Sequence, residues 1–520
     1  MTVTTESKLI PMKWIVTLAY VWLAIPVILF LINWVNLTVN ALLALMIIYV
    51  GASAFIRRQK EKKTSAISLP AKDFSPALKL DPTLVFTGAT LLFLVIYMGI
   101  GGLMTQEYND QVFRNAMLYE VTNRDWPIIY PPIDGNPCFL SYYMGFWLPA
   151  AAVAKIFGGN MLVAESVTIF YAWTGLFLFI AFIFSYVGER RRLLALLVIL
   201  MFAAFDYVAG AIFTYRNYPD IISFIGGNHD NATTYYALPN IAVALGQIYN
   251  QAIPAFLGCM LLYYQRNSFR YFFLTFALVM FFSPLQCVGI FPVCAVWGIR
   301  NFRNTLSAAN ILEILLCFLF AAYFMANNQG SMRTYATEGD QIAIIAEKGA
   351  FWVTFSVAIY LPFLWKSVKR DWVFWLLLAI SLAAPLMSLH GLGDLGWRAP
   401  TGLSVYLMAK IAKKVVGIRR WTAPRNACFA VTLCLCSLTT AGIYFYRGYL
   451  EVTEVIIKGR SPRVDWLNGH LADPDFNQWF NNFMSTRNGF FYKYIMRRPD
   501  AAIRYNHNNT SKHNDADRNQ

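Results

Sequence analysis

Residues 139–158 read FLSYYMGFWLPAAAVAKIFG and follow a polar loop, YNDQVFRNAMLYEVTNRDWPIIYP at 108–131; how this pair is read decides the fold. The segment 139–158 is long and apolar enough to cross a bilayer as a helix. If it crosses, the basic block ERRR at 189–192 falls on the opposite side from RRQKEKK at 57–63. If it lies on the outer surface as an amphipathic helix, those two blocks share one side with RNFR at 300–303, KSVKR at 366–370 and KKVVGIRR at 413–420. Short loops rich in Lys and Arg belong on the cytoplasmic side, so the surface placement is the consistent one. The same reasoning removes 235–247 from the spans.

Composition supports this frame. The chain has 520 residues, 58% of them hydrophobic and only 14% charged. A soluble domain carries about 25% charged residues, so most of this surface faces something other than water. Apolar runs recur at 11–33, 38–56, 82–104, 162–186, 191–213, 250–265, 269–283, 284–299, 308–326, 350–366, 372–389, 398–414 and 426–446. Their continuity fits helices and not the alternating strands of a barrel. The expected fold is an all-α polytopic membrane protein: a bundle of about 13 transmembrane helices with juxtamembrane helices on the outer face. Its domains are a membrane domain over 1–446 and an extracytoplasmic tail over 447–520, with RYNHNNTSKHNDADRNQ disordered from about 505. Lys8 and Lys13 stand at the start of the first run, with no small-residue cleavage site, as in a retained anchor with a cytoplasmic N-terminus.

The net charge of +15 sits in the short blocks between spans, which speaks for topology and against nucleic acid as a partner. Seven of the eight cysteines lie in apolar spans and Cys138 in the polar loop, with no zinc spacing or disulfide framework. No Walker loop, dinucleotide glycine pattern, Ser–His–Asp arrangement or HExxH occurs, which leaves ATP-driven transport and zinc proteolysis without support.

The topology sends four polar segments outward, at 105–138, 214–234, 327–349 and 389–400. In the first, Glu107, Asp110, Arg114 and Asn115 share a helical face if the segment is a short helix. Asp110 can then act as a general base towards a hydroxyl, or simply pair with Arg114 on a solvated loop. In the second, TYRNYPDIISFIGGNHDNATTYY at 214–236, the neighbours His229 and Asp230 are candidates for a divalent cation, Mg or Mn; a solvated turn is the plainer alternative. Outward-facing cations are scarce, which draws attention to Arg333 and Arg398; guanidinium groups suit phosphate, but Asp394 stands four residues before Arg398 and can pair with it. Asn250 and Gln251 in IYNQAIPAFLG (248–258) either hydrogen-bond a sugar or cap their helix. Tyr142, Tyr143, Phe146 and Trp147 read as interfacial aromatics, with stacking on a sugar or lipid as an added role.

Taken together, these features resemble the GT-C superfamily of membrane glycosyltransferases of bacterial type, which use polyprenyl-phosphate-linked sugars. The matching elements are NDQVFRNAML at 109–118, WPIIYPP at 126–132, SYYMGFWLPAAAVAKIFG at 141–158, IYNQAIPAFLG and GDLGWRAP at 393–400, in order over about 82–410. The first outer loop with its juxtamembrane helix covers 105–158. The resemblance implies that Asp110 activates an acceptor hydroxyl of a glycan, lipid or protein, and that the lipid phosphate leaves against Arg or a cation, with inversion. Glu107, Arg114, Asn115, Tyr142, Tyr143, His229, Asp230, Asn250, Gln251, Arg333, Asp394 and Arg398 would line the substrate site. It would put a His near position 114, where this chain has Arg114; a histidine-based role there falls away. The setting it implies is the bacterial inner membrane, with membrane lipids around the bundle. A transporter or flippase of lipid-linked or polar substrates, and a non-catalytic subunit of an envelope-assembly complex, stand as alternatives. In a transporter, charges would gather near the midplane instead of at one face.

Overall fold

Helix α1, Met12–Trp34, is roughly 35 Å long at 1.5 Å per residue. The computed structural model describes residues 8–60, 73–106, 108–133, 136–213, 215–227, 235–266, 272–305, 307–325, 332–334, 339–389, 394–463, 484–486 and 490–497. Strand β1 (Leu9–Pro11) enters α1 and pairs antiparallel with β2 (Ala77–Lys79); α2 (Leu37–Lys60) and α3 (Pro82–Tyr97) follow. Next come α4 (Tyr108–Asn123), strands β3 (Ile129–Ile133) and β4 (Asn136–Leu140), α5 (Leu148–Ile156), and α6 (Met161–Val187). The middle of the chain forms α7 (Arg192–Leu200), α8 (Asp206–Phe213), α9 (Ile221–Gly227), α10 (Ile241–Gln247), α11 (Tyr249–Tyr264), α12 (Phe272–Phe282) and α13 (Pro284–Arg300). A single turn, α14 (Phe302–Thr305), leads to α15 (Ala308–Met325), strand β5 (Met332–Thr334), α16 (Gly339–Trp352), α17 (Leu361–Val368), α18 (Trp372–Ala383) and strand β6 (Met387–Leu389). The chain closes with α19 (Asp394–Arg398), α20 (Thr401–Val416), α21 (Pro424–Leu450) and strand β7 (Met484–Thr486).

The protein is therefore mostly helical, as the apolar runs require. Among the described residues, four helices are long and apolar enough to cross a membrane: Met12–Trp34, Met161–Val187, Ala308–Met325 and Pro424–Ile457. A fifth arises if the pair Ile342–Ala358 and Leu361–Val368, bent by 81°, counts as one span. The other apolar runs form shorter helices or broken ones. The run 82–104 stops being helical at Tyr97 because Gly99, Gly101 and Gly102 take φ of +85°, +82° and +69°, which side chains with a Cβ resist. The run 191–213 breaks between α7 and α8 at 201–205, and 372–389 ends its α-helix at Ala383 before turning into β6. The two segments excluded as spans are too short to cross: α5 has 9 residues and α10 has 7.

A large apolar core joins most of these helices, and a small second cluster of Ala384, Leu395 and Ala399 packs around α19. Between helices in lipid, close packing matters more than hydrophobic transfer, and small residues allow it. Gly175 of α6 is such a place, since a Cβ there would sit 2.5 Å from Trp22. Trp22 stacks on Tyr171 at 4.3 Å and on Phe282 at 5.7 Å, tying α1, α6 and α12 together.

The bundle has two distinct ends. At one, β1 and β2 meet the basic blocks: Arg191 Nη1 donates to Ile418 O (2.6 Å), Arg192 Nη1 to Lys79 O (3.2 Å), and Arg266 pairs with Asp73. At the other, the polar-loop segments are stitched together. Strand β7, from the C-terminal segment, adds to the β3–β4 hairpin, while β5 pairs with β6. Ser141 Oγ donates to Tyr323 O at 3.0 Å, and Ala237 N to Gly396 O at 3.4 Å. The segment after 446 is tied into the fold over its described residues. α21 runs on into a π-helix to Ile457, Phe491 is fully buried against Phe30 and Tyr323, and Arg497 N donates to Trp34 O at 2.7 Å. Residues from 505 lie outside the described ones.

Candidate functional site

The polar loop does form the expected helix, α4, and its entry is held from below by the C-terminal segment. Thr105 N donates to Glu451 Oε2 at 2.7 Å, its hydroxyl binds the same oxygen, and Gln106 N donates to Pro462 O at 2.9 Å. Gln106 Nε2 donates to Gly99 O at 3.0 Å, and Asn115 Nδ2 donates to Gln106 Oε1 at 2.8 Å. These bonds fix the rotation of α4 about its axis. Asp110 lies on this helix one turn before Arg114; its side chain, and the whole of Glu107, lie outside the described residues. Asn115 is engaged by the frame and faces Gln106.

Arg114 is 8% exposed and so is not solvated, while its pairing with Asp110 lies outside the described residues. Its guanidinium lies over the Tyr249 ring at 5.6 Å, and the Tyr249 hydroxyl accepts from Trp147 Nε1 at 3.2 Å. Tyr142 and Tyr143 pack ring to ring with centroids 3.7 Å apart. Burial and the neighbouring Tyr143 push the Tyr142 hydroxyl well above its ordinary value, while the Arg398 and Arg114 guanidiniums pull it down. Both cations therefore lie within electrostatic reach of one phenol. Arg398 Nη1 also donates to Gln251 Oε1 at 3.4 Å, and Gln251 O accepts from Ser283 Oγ at 2.6 Å. Four elements, α4, the 141–147 segment, α11 and α19, so bring Arg114, Tyr142, Gln251 and Arg398 to one place.

Two sequence readings change here. Asn250 and Gln251 do not serve as the helix cap: the N-cap of α11 is Ile248, which has no side chain able to cap. Phe146 and Trp147 are core residues, 0% and 1% exposed, and not interfacial, because they pack edge-on against Tyr249 (5.3 and 6.4 Å) and Phe146 also against Tyr171 (5.2 Å).

Several buried polar groups around the cluster were not singled out from sequence. Gln286, in the first turn of α13, is fully buried, and neither end of its amide has a hydrogen-bond partner among the described residues; the same holds for Asn250 Oδ1. A buried group left in that state costs about 1–3 kcal/mol, which a polar ligand or water would recover. Glu165 of α6 pairs with Arg463 and stands within electrostatic reach of Tyr249. Beside α4, a cavity of about 350 Å³ is lined by Met98, Gly246, Gln247, Tyr446 and Arg447, and Gln111 Nε2 donates to Gly246 O at its wall (3.2 Å). Arg447, 6% exposed at the end of α21, gives no sequence signal beyond its place at the end of an apolar run.

The remaining candidates divide. Arg333 lies in β5 opposite Ser388 of β6, in the strand pair leading to α19, and Asp394 opens α19. The side chains of Arg333 and Asp394 lie outside the described residues, as do His229 and Asp230 entirely. Among the described residues, no group of three His, Cys, Asp or Glu side chains is placed to hold a metal ion. Comparison with protein-family models, with curated proteins and with solved structures finds no match to this chain.

Proposed function

We propose that this chain is a membrane glycosyltransferase of GT-C type that moves a sugar from a polyprenyl-phosphate donor to an acceptor hydroxyl on the extracytoplasmic face. In this reading thirteen passes carry the chain across a bacterial inner membrane, with the N-terminus cytoplasmic and α5 and α10, both packed into the core, at the outer end of the bundle. Asp110 takes the proton of the acceptor hydroxyl as its oxygen attacks the anomeric carbon. The bond from that carbon to the phosphate oxygen breaks, the lipid phosphate leaves with the electron pair, and the anomeric configuration inverts. Arg114 and Arg398 offer guanidinium donors to the charge that gathers on the leaving phosphate. The residues named carry this scheme without a step through a metal.

The single observation that supports the reading most is the convergence of Arg114, Tyr142, Gln251 and Arg398 from four separate elements at the end of the bundle where the polar loops meet. A transporter would keep such groups near mid-bundle. The test is to supply purified protein with a panel of polyprenyl-phosphate sugars plus glycan, lipid and peptide acceptors, and to measure free polyprenyl phosphate. Release with at least one donor supports the reading; uptake of a donor into vesicles without release would replace it with transport.

A further inference from the structure

A second cavity lies away from the site described above. It runs between α11, α13, α18 and α20, with an empty volume of about 520 Å³ that includes space open to the outside. Its wall follows α20 from Gly402 to Lys410. Eight residues of helix rise through about 12 Å, close to half of the ~30 Å hydrocarbon core of a bilayer. The cavity therefore has the depth of one leaflet. Its sides are apolar, and polar groups gather at the end near the basic blocks.

That end is built from cations and aromatic rings. Lys410 Nζ lies over the rings of Tyr406 (5.1 Å) and Tyr263 (5.8 Å). Trp297 packs on Trp372 at 5.7 Å, and Arg300 lies over Trp372 at 4.4 Å. Asp371 is the carboxylate there, and it is already engaged three times: it accepts from Val373 N (3.2 Å) and the Tyr406 hydroxyl (2.6 Å), and stands 3.9 Å from Lys410. The charge left over at the mouth is positive.

From this geometry we infer that the cavity seats one acyl chain of an anionic phospholipid of the leaflet on the basic side, with its phosphate held by Lys410 and Arg300. The length of the slot fits a chain reaching from headgroup to bilayer centre, and the cationic, aromatic mouth fits an anionic headgroup at the interface. This site is independent of the proposed sugar transfer and stands or falls without it.

The test uses the full chain purified in detergent, with dioleoylphosphatidylglycerol and dioleoylphosphatidylcholine as probes. Native mass spectrometry should show one phosphatidylglycerol retained in preference to phosphatidylcholine by about fivefold, the scale of one cation's attraction to an anionic surface. Lys410→Gln should bring that ratio close to one. Cys259 lines the cavity, so in the unsubstituted protein phosphatidylglycerol should slow its reaction with a maleimide, read by peptide mass spectrometry, while phosphatidylcholine should not. Equal retention of the two lipids, an unchanged ratio in Lys410→Gln, or phosphatidylglycerol binding that leaves Cys259 as reactive as before would each overturn the assignment.

Discussion

The two ends of the bundle use arginine in opposite ways. At the basic end the cations are absorbed by the scaffold: Arg191 and Arg192 donate to backbone carbonyls, Arg266 pairs with Asp73, and Lys413 lies over the Tyr186 ring at 4.0 Å. At the polar-loop end, Arg114 and Arg398 come from separate elements to one phenol and one amide, and the buried amides of Asn250 and Gln286 keep atoms without partners among the described residues. The basic end holds most of its cations on its own carbonyls, carboxylates and rings, although Arg192 Nε and Nη2 have no partner among the described residues. The polar-loop end leaves bonding capacity for something that arrives.

The sharpest way to break this contrast is orientation, because its outcome is all-or-none. In a background with all eight native cysteines replaced by serine, Asp125→Cys and Arg190→Cys each place a single thiol on an exposed position, at opposite ends. A membrane-impermeant maleimide added to intact cells should label the first and reach the second only after permeabilisation. Equal labelling would mean that the two ends do not face different compartments.

The next effect is catalytic. Arg398→Ala should lower lipid-phosphate release by roughly 10²–10³-fold, the scale expected for a donor aimed at developing charge. Arg398→Lys should recover only part, since a point charge does not reproduce the planar fork. An Arg190→Ala control at the basic end should leave the rate unchanged.

The smallest effect concerns pH. Burial pushes the Glu120 carboxyl upward, against the pull of its Arg124 partner. A raised folded value means stability that is complete below the unfolded carboxylate value, about 4.3, and lost as pH rises through the folded value. Glu120→Gln stays neutral throughout, so its thermal midpoint should fall less than that of the wild type over that window. Parallel curves would show that Glu120 contributes no pH dependence.

Much of this architecture was legible in the sequence, and the gaps have physical reasons. Long uninterrupted runs such as 11–33 and 162–186 became α1 and α6 because nothing in them breaks a helix. Positive-φ glycines at 99–102 and the break after Leu200 shortened other runs, and hydropathy alone does not register a turn made of apolar residues. The role of the segment after 446 was hidden for a different reason. Glu451, Pro462 and Phe491 act only through partners hundreds of residues away, and periodicity carries no such information. Within the candidate site, Arg114, Tyr142, Gln251 and Arg398 stood out because polar groups beside apolar runs are costly to leave idle. Gln286 did not, because it opens an apolar helix as an ordinary polar residue and only its burial sets it apart.

In the proposed function the polar-loop end performs sugar transfer through Asp110. It is tested most directly by comparing wild type with Asp110→Asn for release of free polyprenyl phosphate from the donor that the panel identifies. Expression and membrane insertion serve as controls. The expected result is release by the wild type and none above background in Asp110→Asn, with both proteins equally abundant in the membrane. Full activity in Asp110→Asn would contradict the account.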